Sequence, residues 1–189
     1  MPHRHDSFQD DFEAVIAAAR AGDGLALERI YATLAPAVAG FFRLQRAAEP
    51  EDLTSEVFVG VLRNLRSFRG DETQFRSWVF TIAYRRLADA RRAAGRRPAV
   101  EPLDRAPEPA DRADVESDVE RLLATRRVHA LCAALPPAQC DVLLLRLVGR
   151  MTVDEIAEAI GRSRGAVKAL QRRGLATVMS AVANEGVPL

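Results

Sequence analysis

The sequence predicts an all-α protein. It reads as two helical domains, residues 8–94 and 119–182, joined by a flexible acidic linker over residues 95–118. Three observations carry this. Apolar residues recur at three- and four-residue steps along most of the chain, which is the period of an amphipathic helix. A stretch rich in proline and acids interrupts that pattern. Residues 153–173 have the spacing of a helix-turn-helix.

Composition sets the outer bounds. The chain has 189 residues, is 48% hydrophobic and carries a net charge of +1, so real cores are expected and any charge effect comes from segregation along the chain. The two cysteines, Cys132 and Cys140, lack metal-ligand spacing and read as reduced, apolar helix residues of a cytoplasmic protein. The N-terminus from Met1 to Asp6 is polar, without the apolar core of a signal peptide. No run approaches the roughly 20 apolar residues of a membrane span, so no membrane insertion is expected.

The first predicted helix covers Phe8 to Ala21, with Asp6 or Ser7 as cap and Phe12, Val15, Ile16 and Ala19 on one face. Gly22-Asp23-Gly24 breaks it. Leu25 to Arg46 reads as the second helix, with Leu27, Ile30, Tyr31, Leu34, Val38, Phe41 and Phe42 inward. Pro36 within it implies a kink or a restart. The third helix opens on Glu49-Pro50-Glu51-Asp52, because proline suits a first turn and acids suit the positive end of the helix dipole. Its stripe is Leu53, Val57, Phe58, Val61, Leu62 and Leu65. The loop Arg66 to Glu72 leads to a fourth helix with Phe75, Trp78, Val79, Ile82, Ala83 and Leu87 on one face and Arg76, Arg85, Arg86, Arg91 and Arg92 on the others. Short connections let four such helices bury their stripes together.

From residue 98 to 120, Glu101, Asp104, Glu108, Asp111, Asp114, Glu116, Asp118 and Glu120 face only Arg105 and Arg112, among four prolines. That composition indicates an extended tether. Helical spacing resumes with Val119, Leu122, Leu123, Val128 and Leu131. Leu135-Pro136-Pro137 ends this helix and starts one with Cys140, Leu143, Leu144 and Leu147 inside. Thr152-Val153-Asp154-Glu155 fits a capping box. Ile156, Ala157 and Ile160 follow, Gly161 makes the turn, and Ser163 caps a last helix carrying Val167, Leu170, Leu175 and Val178.

Two stretches point to chemistry. Between Leu62 and Arg97 the arginines are 63, 66, 69, 76, 85, 86, 91, 92, 96 and 97, against Asp71, Glu72 and Asp89. A basic helix behind a basic, aromatic-flanked loop suits a nucleic-acid backbone and unstacked bases; a solvated arginine face gives the same composition. In the helix-turn-helix, Ala157 sits at the helix crossing and Gly161 supplies the left-handed turn. Arg164, Lys168 and Gln171 then lie opposite Val167 and Leu170 as candidates for base contacts, with Arg172 and Arg173 as candidates for phosphates. His3, His5 and His129 have no partner at metal or triad spacing, and no phosphate-binding glycine loop is present. No catalytic role, metal or cofactor is expected.

Six runs carry a family resemblance. Glu51-Asp52-Leu53-Thr54-Ser55-Glu56-Val57-Phe58, then Phe68-Arg69-Gly70, then Phe75 to Ala83 resemble region two of the extracytoplasmic-function (ECF) sigma factors of the sigma-70 family. Leu135-Pro136-Pro137-Ala138-Gln139, Met151 to Ala157, and Gly165-Ala166-Val167-Lys168 resemble their region four. The motifs stand in family order and cover nearly the whole chain.

The resemblance implies a protein that binds core RNA polymerase and directs it to promoter DNA. Asp52, Leu53, Glu56 and Phe58 would hold the clamp helices of the β′ subunit. Phe68, Arg69, Gly70, Asp71, Gln74 and Arg76 would take bases flipped from the melted minus-ten element, with Arg85, Arg86, Arg91 and Arg92 on its backbone. Ser163, Arg164, Lys168, Gln171, Arg172 and Arg173 would meet the minus-thirty-five element, and region four would also rest on the β flap. An anti-sigma factor is a further candidate partner. The chain departs from many members at Ser55, where glutamine is frequent, and at Arg85, where asparagine is. Ala169 and Leu170-Gln171 also replace serine and Arg-Leu. The residues alone also allow a helix-turn-helix regulator that acts as a dimer without polymerase, with residues 8–94 as a sensing domain.

Overall fold

The computed structural model describes residues 8, 11–95 and 126–184, and every element among them is a helix. Four helices come first: α1 (Phe12–Ala21), α2 (Gly24–Leu44), α3 (Pro50–Asn64) and α4 (Glu72–Ala94). After the gap come α5 over 126–134, α6 (Pro137–Leu147), α7 (Val153–Ile160) and α8 (Arg164–Asn184). The expected linker and the expected start of structure near Val119 lie outside the described residues, apart from Gly95, as do the caps Asp6 and Ser7.

Local signals set the breaks. Gly22, with φ 92, closes α1 in the left-handed region while its N–H donates to the carbonyls of Ala18 and Ala19. The Asp23 carboxylate then accepts from the N–H groups of Leu25 and Ala26 and opens α2. Pro50 occupies the first turn of α3. Asp71 and Gln74 form a reciprocal capping box at the start of α4, and Thr152 and Glu155 form another on α7. Gly161, with φ 65, makes the turn into α8, where the Ser163 hydroxyl accepts from the Ala166 N–H at 3.2 Å.

Packing corrects several sequence expectations. α1 starts at Phe12 rather than Phe8, yet Phe8 is 1% exposed and stacks edge-on against Phe12 and Phe75. Pro36 neither ends nor restarts α2. Leu34, Ala35 and Val38 beside it are buried, and that packing holds the helix through the lost hydrogen bond. α2 is long and apolar enough to cross a membrane by length and composition, against expectation. Here it is a core helix whose Ile30, Leu34, Val38, Phe41 and Phe42 are buried. Tyr31, Leu62, Val128, Leu147 and Leu175 are inward by helical period, yet they are exposed. The Tyr31 ring nonetheless covers Phe58 at 4.7 Å.

On α6 the burial runs from Cys140 through Leu145, including Asp141 and Val142, because α6 packs on α8 and α7 and Asp141 meets Gln45 and Arg91 of the first set of helices. Cys132 is half-buried and Cys140 buried, both as free thiols. A hydrogen bond with Cys132, and burial, push the Cys140 thiol well above its usual range. On α8 the buried position beyond Leu170 is Gly174, since a Cβ there would meet Leu143 Cδ1 at 2.9 Å.

The two sets of helices share one continuous core. Arg76 on α4 is 6% exposed and donates through Nε and Nη2 to the carbonyl of Val148 at 3.0 and 2.8 Å. Its guanidinium also lies over the Phe80 ring. Gly149 fits against that ring because a Cβ there would stand 3.2 Å from Phe80 Cγ and 2.6 Å from the Leu145 carbonyl.

Candidate nucleic-acid interface

The loop between α3 and α4 is built for one conformation. Gly70 has φ 146, and a Cβ there would lie 2.5 Å from Gln74 Oε1 and 3.1 Å from Phe68 Cζ. Only glycine lets the loop turn over Phe68. Phe68 is 7% exposed and packs between Phe75 and Trp78, with ring centroids 5.1 and 5.2 Å away. Arg20 of α1 fixes the loop from behind, donating to the carbonyls of Leu65 and Phe68 at 3.3 and 2.5 Å. The sequence does not single out Arg20. It has the look of an ordinary basic residue in a last turn, and its acceptors lie 45 and 48 positions away.

In front of this loop lies a cavity of about 520 Å³ whose walls include Phe68, Trp78, Arg69, Gln74, Arg85 and Glu158. Trp78 is half-buried there, while Arg69, Gln74 and Arg85 are exposed. Arg69 holds the loop carbonyls of Arg66 and Phe68, both at 2.7 Å. Arg86 reaches Glu56 of α3 at 3.7 Å. Six of the residues expected at the minus-ten element therefore surround or shape one cavity: Phe68, Arg69, Gly70, Asp71, Gln74 and Arg85. Arg76 and Arg86 are the exceptions: the Arg76 side chain turns away into the core, and Arg86 faces Glu56 of α3.

The third helix separates two faces. Thr54, Val57, Phe58 and Val61 are buried, so Phe58 is a core residue rather than part of the outer surface expected to meet a partner. Asp52, Ser55, Glu56, Val59 and Leu62 share the opposite stripe; Leu53 is half-buried. Val59 and Leu62 are 44% and 45% exposed and supply the apolar part of the surface that the family resemblance assigns to Phe58.

In the helix-turn-helix, Ile156, Val167 and Leu170 are buried as the spacing predicts, as is Ala157 at the helix crossing, whereas Ile160, expected inside, is half-buried. Lys168, Arg172 and Arg173 are exposed and Gln171 is half-buried. Arg164 is exposed and pairs with Asp154 at 2.5 Å. Burial opposes ionisation of Glu155, but hydrogen bonds from the Thr152 N–H and hydroxyl outweigh it and hold the carboxyl below the usual range.

A family model of sigma-70 region 2 matches residues 30–97, and one of sigma-70 region 4 matches residues 125–178. The ECF RNA polymerase sigma factor SigD of Mycobacterium tuberculosis is 33% identical over 171 residues, spanning 86% of this chain and 80% of that protein. The chain belongs to the ECF sigma factors of the sigma-70 family. The sigma factor ShbA of Streptomyces griseus is 38% identical to it over 130 residues, 66% of this chain and 67% of that protein. The solved structure of CnrH in complex with the cytosolic domain of CnrY shares the sigma factor's fold, with a TM-score of 0.62 at 22% identity over 93% of this chain and 99% of that one.

Region 4 reaches the region 2 match in this sigma factor through a second cluster that the sequence does not disclose. Asp141 of α6 is 6% exposed. It accepts from Gln45 Nε2 at 2.8 Å and from Arg91 Nη1 at 2.9 Å. Arg91 Nη2 donates in turn to Gln45 Oε1 at 2.7 Å. Burial raises the Asp141 pKa, and Arg91 and Gln45 pull it back in part.

Proposed function

We infer that this ECF sigma factor binds core RNA polymerase and directs it to promoters. The observation that carries the reading is the pair of family matches in their proper order, each containing its built element: the glycine-turned loop over Phe68 in one and the capped helix-turn-helix in the other. Sigma factors as a family act on DNA with polymerase in the cytoplasm and are not enzymes.

The finer roles are part of the proposal. Residues 8–94 form the polymerase and minus-ten domain, 95–118 the linker and 119–182 the minus-thirty-five domain. Asp52, Leu53 and Glu56, joined by Val59 and Leu62, meet the β′ clamp helices. Acids on an apolar stripe suit a basic partner with an apolar ridge. Phe58 supports that stripe from within. Phe68, Arg69, Gly70, Asp71, Gln74 and Arg85 shape the minus-ten pocket, with Arg86 beside it and Arg76 behind it. Flipping a base costs a few kcal/mol, which stacking on Trp78 offsets. Arg164, Lys168 and Gln171 read the minus-thirty-five element in the major groove, with Ser163, Arg172 and Arg173 on its backbone. Region four also rests on the β flap, and an anti-sigma factor would compete for these same polymerase-facing surfaces.

Size-exclusion co-elution with purified core polymerase tests the assignment. A stoichiometric complex that then supports promoter-dependent transcription is the expected result. A folded protein that stays apart from active core, and elutes as a dimer, would instead establish a polymerase-independent regulator.

A further inference from the structure

The break between α5 and α6 brings two thiols together. The Leu135 N–H donates to the Cys132 carbonyl at 3.2 Å, which places Cys132 in the last turn of α5. The Cys140 N–H donates to the Pro136 carbonyl at 3.1 Å, which places Cys140 in the first turn of α6. Across this turn the two side chains meet in a hydrogen bond. Their surroundings differ. Cys140 is 3% exposed, whereas Cys132 is only half-buried. The hydrogen bond from Cys140 outweighs burial and holds the Cys132 thiol below its ordinary range. The same bond and burial push the Cys140 thiol up. An accessible thiol that ionises readily is the attacking sulfur, and a protonated neighbour in contact with it is suited to resolve the product. No group of three or more His, Cys, Asp or Glu side chains able to hold a metal includes them among the described residues. The helix that carries Cys132 is thinly held. None of residues 126–134 is buried, whereas Leu135 and Cys140 through Leu145 are.

We propose that Cys132 and Cys140 are a modification site for peroxide, closing a reversible disulfide that clamps α5 onto α6 within region four. The Cys132 thiolate attacks one peroxide oxygen and the O–O bond breaks. The departing hydroxide takes up a proton and leaves as water, and Cys132 becomes a sulfenic acid. The Cys140 sulfur then attacks the Cys132 sulfur. The S–S bond forms as the S–O bond breaks, and the Cys140 proton leaves with the hydroxide as a second water. Each sulfur gives up one electron, and the peroxide takes both. A dithiol reductant reverses the bond by thiol–disulfide exchange. The covalent tie replaces a weak contact between thiols, so its effect falls on α5, which buries least of its own surface.

The experiment treats the full reduced chain with hydrogen peroxide and follows it by mass spectrometry, peptide mapping and amide hydrogen exchange. The monomer should lose two hydrogens by mass, the map should join Cys132 to Cys140, and dithiothreitol should restore both thiols. Exchange of the α5 amides should slow by about tenfold in the oxidised chain. Dimedone, which captures sulfenic acids, tests the order of events. Cys140→Ser should be labelled at Cys132, and Cys132→Ser should stay unlabelled at Cys140. Should Cys140→Ser fail to fold, the wild-type chain and Cys132→Ser decide the question. A treated wild-type chain that keeps both thiols, or joins them only between molecules, overturns the site. A disulfide that leaves α5 exchange unchanged overturns the clamp. Labelling of Cys140 in Cys132→Ser overturns the assignment of Cys132 as the attacking sulfur. All of these readouts are independent of polymerase and DNA, so they leave the proposed function to its own test.

Discussion

Arg76 and Val148 are 72 positions apart, yet the Arg76 guanidinium makes two hydrogen bonds to the Val148 carbonyl. This contact ties the start of α4 to the end of α6. It turns an arginine with the appearance of a DNA contact into part of the core. Arg76→Ala should therefore lower stability by about 2–4 kcal/mol, since a half-buried carbonyl loses its charged donor and Phe80 loses its cation. Urea denaturation measures it. A variant of unchanged stability that binds DNA less tightly would return Arg76 to the nucleic-acid surface.

Phe58 and Glu56 should separate stability from polymerase binding. Phe58 is 4% exposed, and Phe58→Ala should cost about 3–5 kcal/mol. Glu56→Ala and Val59→Ala change exposed side chains and should leave the melting temperature within about 2 °C. Both should reduce co-elution with core polymerase.

Two glycines of α8 should respond with opposite sign to alanine. Gly165 has no neighbour within 4 Å of a new Cβ, so Gly165→Ala should stabilise by about 0.5 kcal/mol through helix propensity. At Gly174 the Cβ would press on Leu143 Cδ1 at 2.9 Å and Cγ at 3.2 Å. Leu143 is itself buried, so Gly174→Ala should destabilise by about 1 kcal/mol despite the same propensity gain. Thermal melts of the two variants, side by side, decide it.

The capping box on α7 predicts a pH dependence. The Glu155 carboxyl lies below its ordinary range in the folded protein. Its contribution to stability is then present above the unfolded value and is lost as pH falls through the folded one. Melts from about pH 6 to about pH 3 should show that loss, and Glu155→Gln should remove this part of it. An acid limb unchanged by the substitution would assign the loss to other carboxylates.

On the recognition helix, Lys168→Ala and Arg172→Ala should each weaken holoenzyme binding to duplex upstream DNA. Loss of a phosphate contact should reduce the salt slope by about one. Co-elution with core polymerase should not change. If it does, these residues serve the β flap.

The elements and their punctuation were legible in the chain alone. Pro50, Thr152 with Glu155, Gly161 and Ser163 act through hydrogen bonds or dihedral limits within a few residues, so a short window contains the whole cause. The same holds for Ile156, Ala157, Val167 and Leu170, because helical period fixes which face is apolar. Tertiary packing chose which polar residues enter the core and which apolar ones stay out. Nothing near Asp141 announces its burial, since Gln45 lies 96 positions away and Arg91 lies 50. Leu62 fits the inward period of α3, yet it is 45% exposed, because the neighbouring helices cover only part of its stripe. Period tells which side of a helix is apolar, but only the placement of another helix against it tells how far burial extends and which charge finds a partner there.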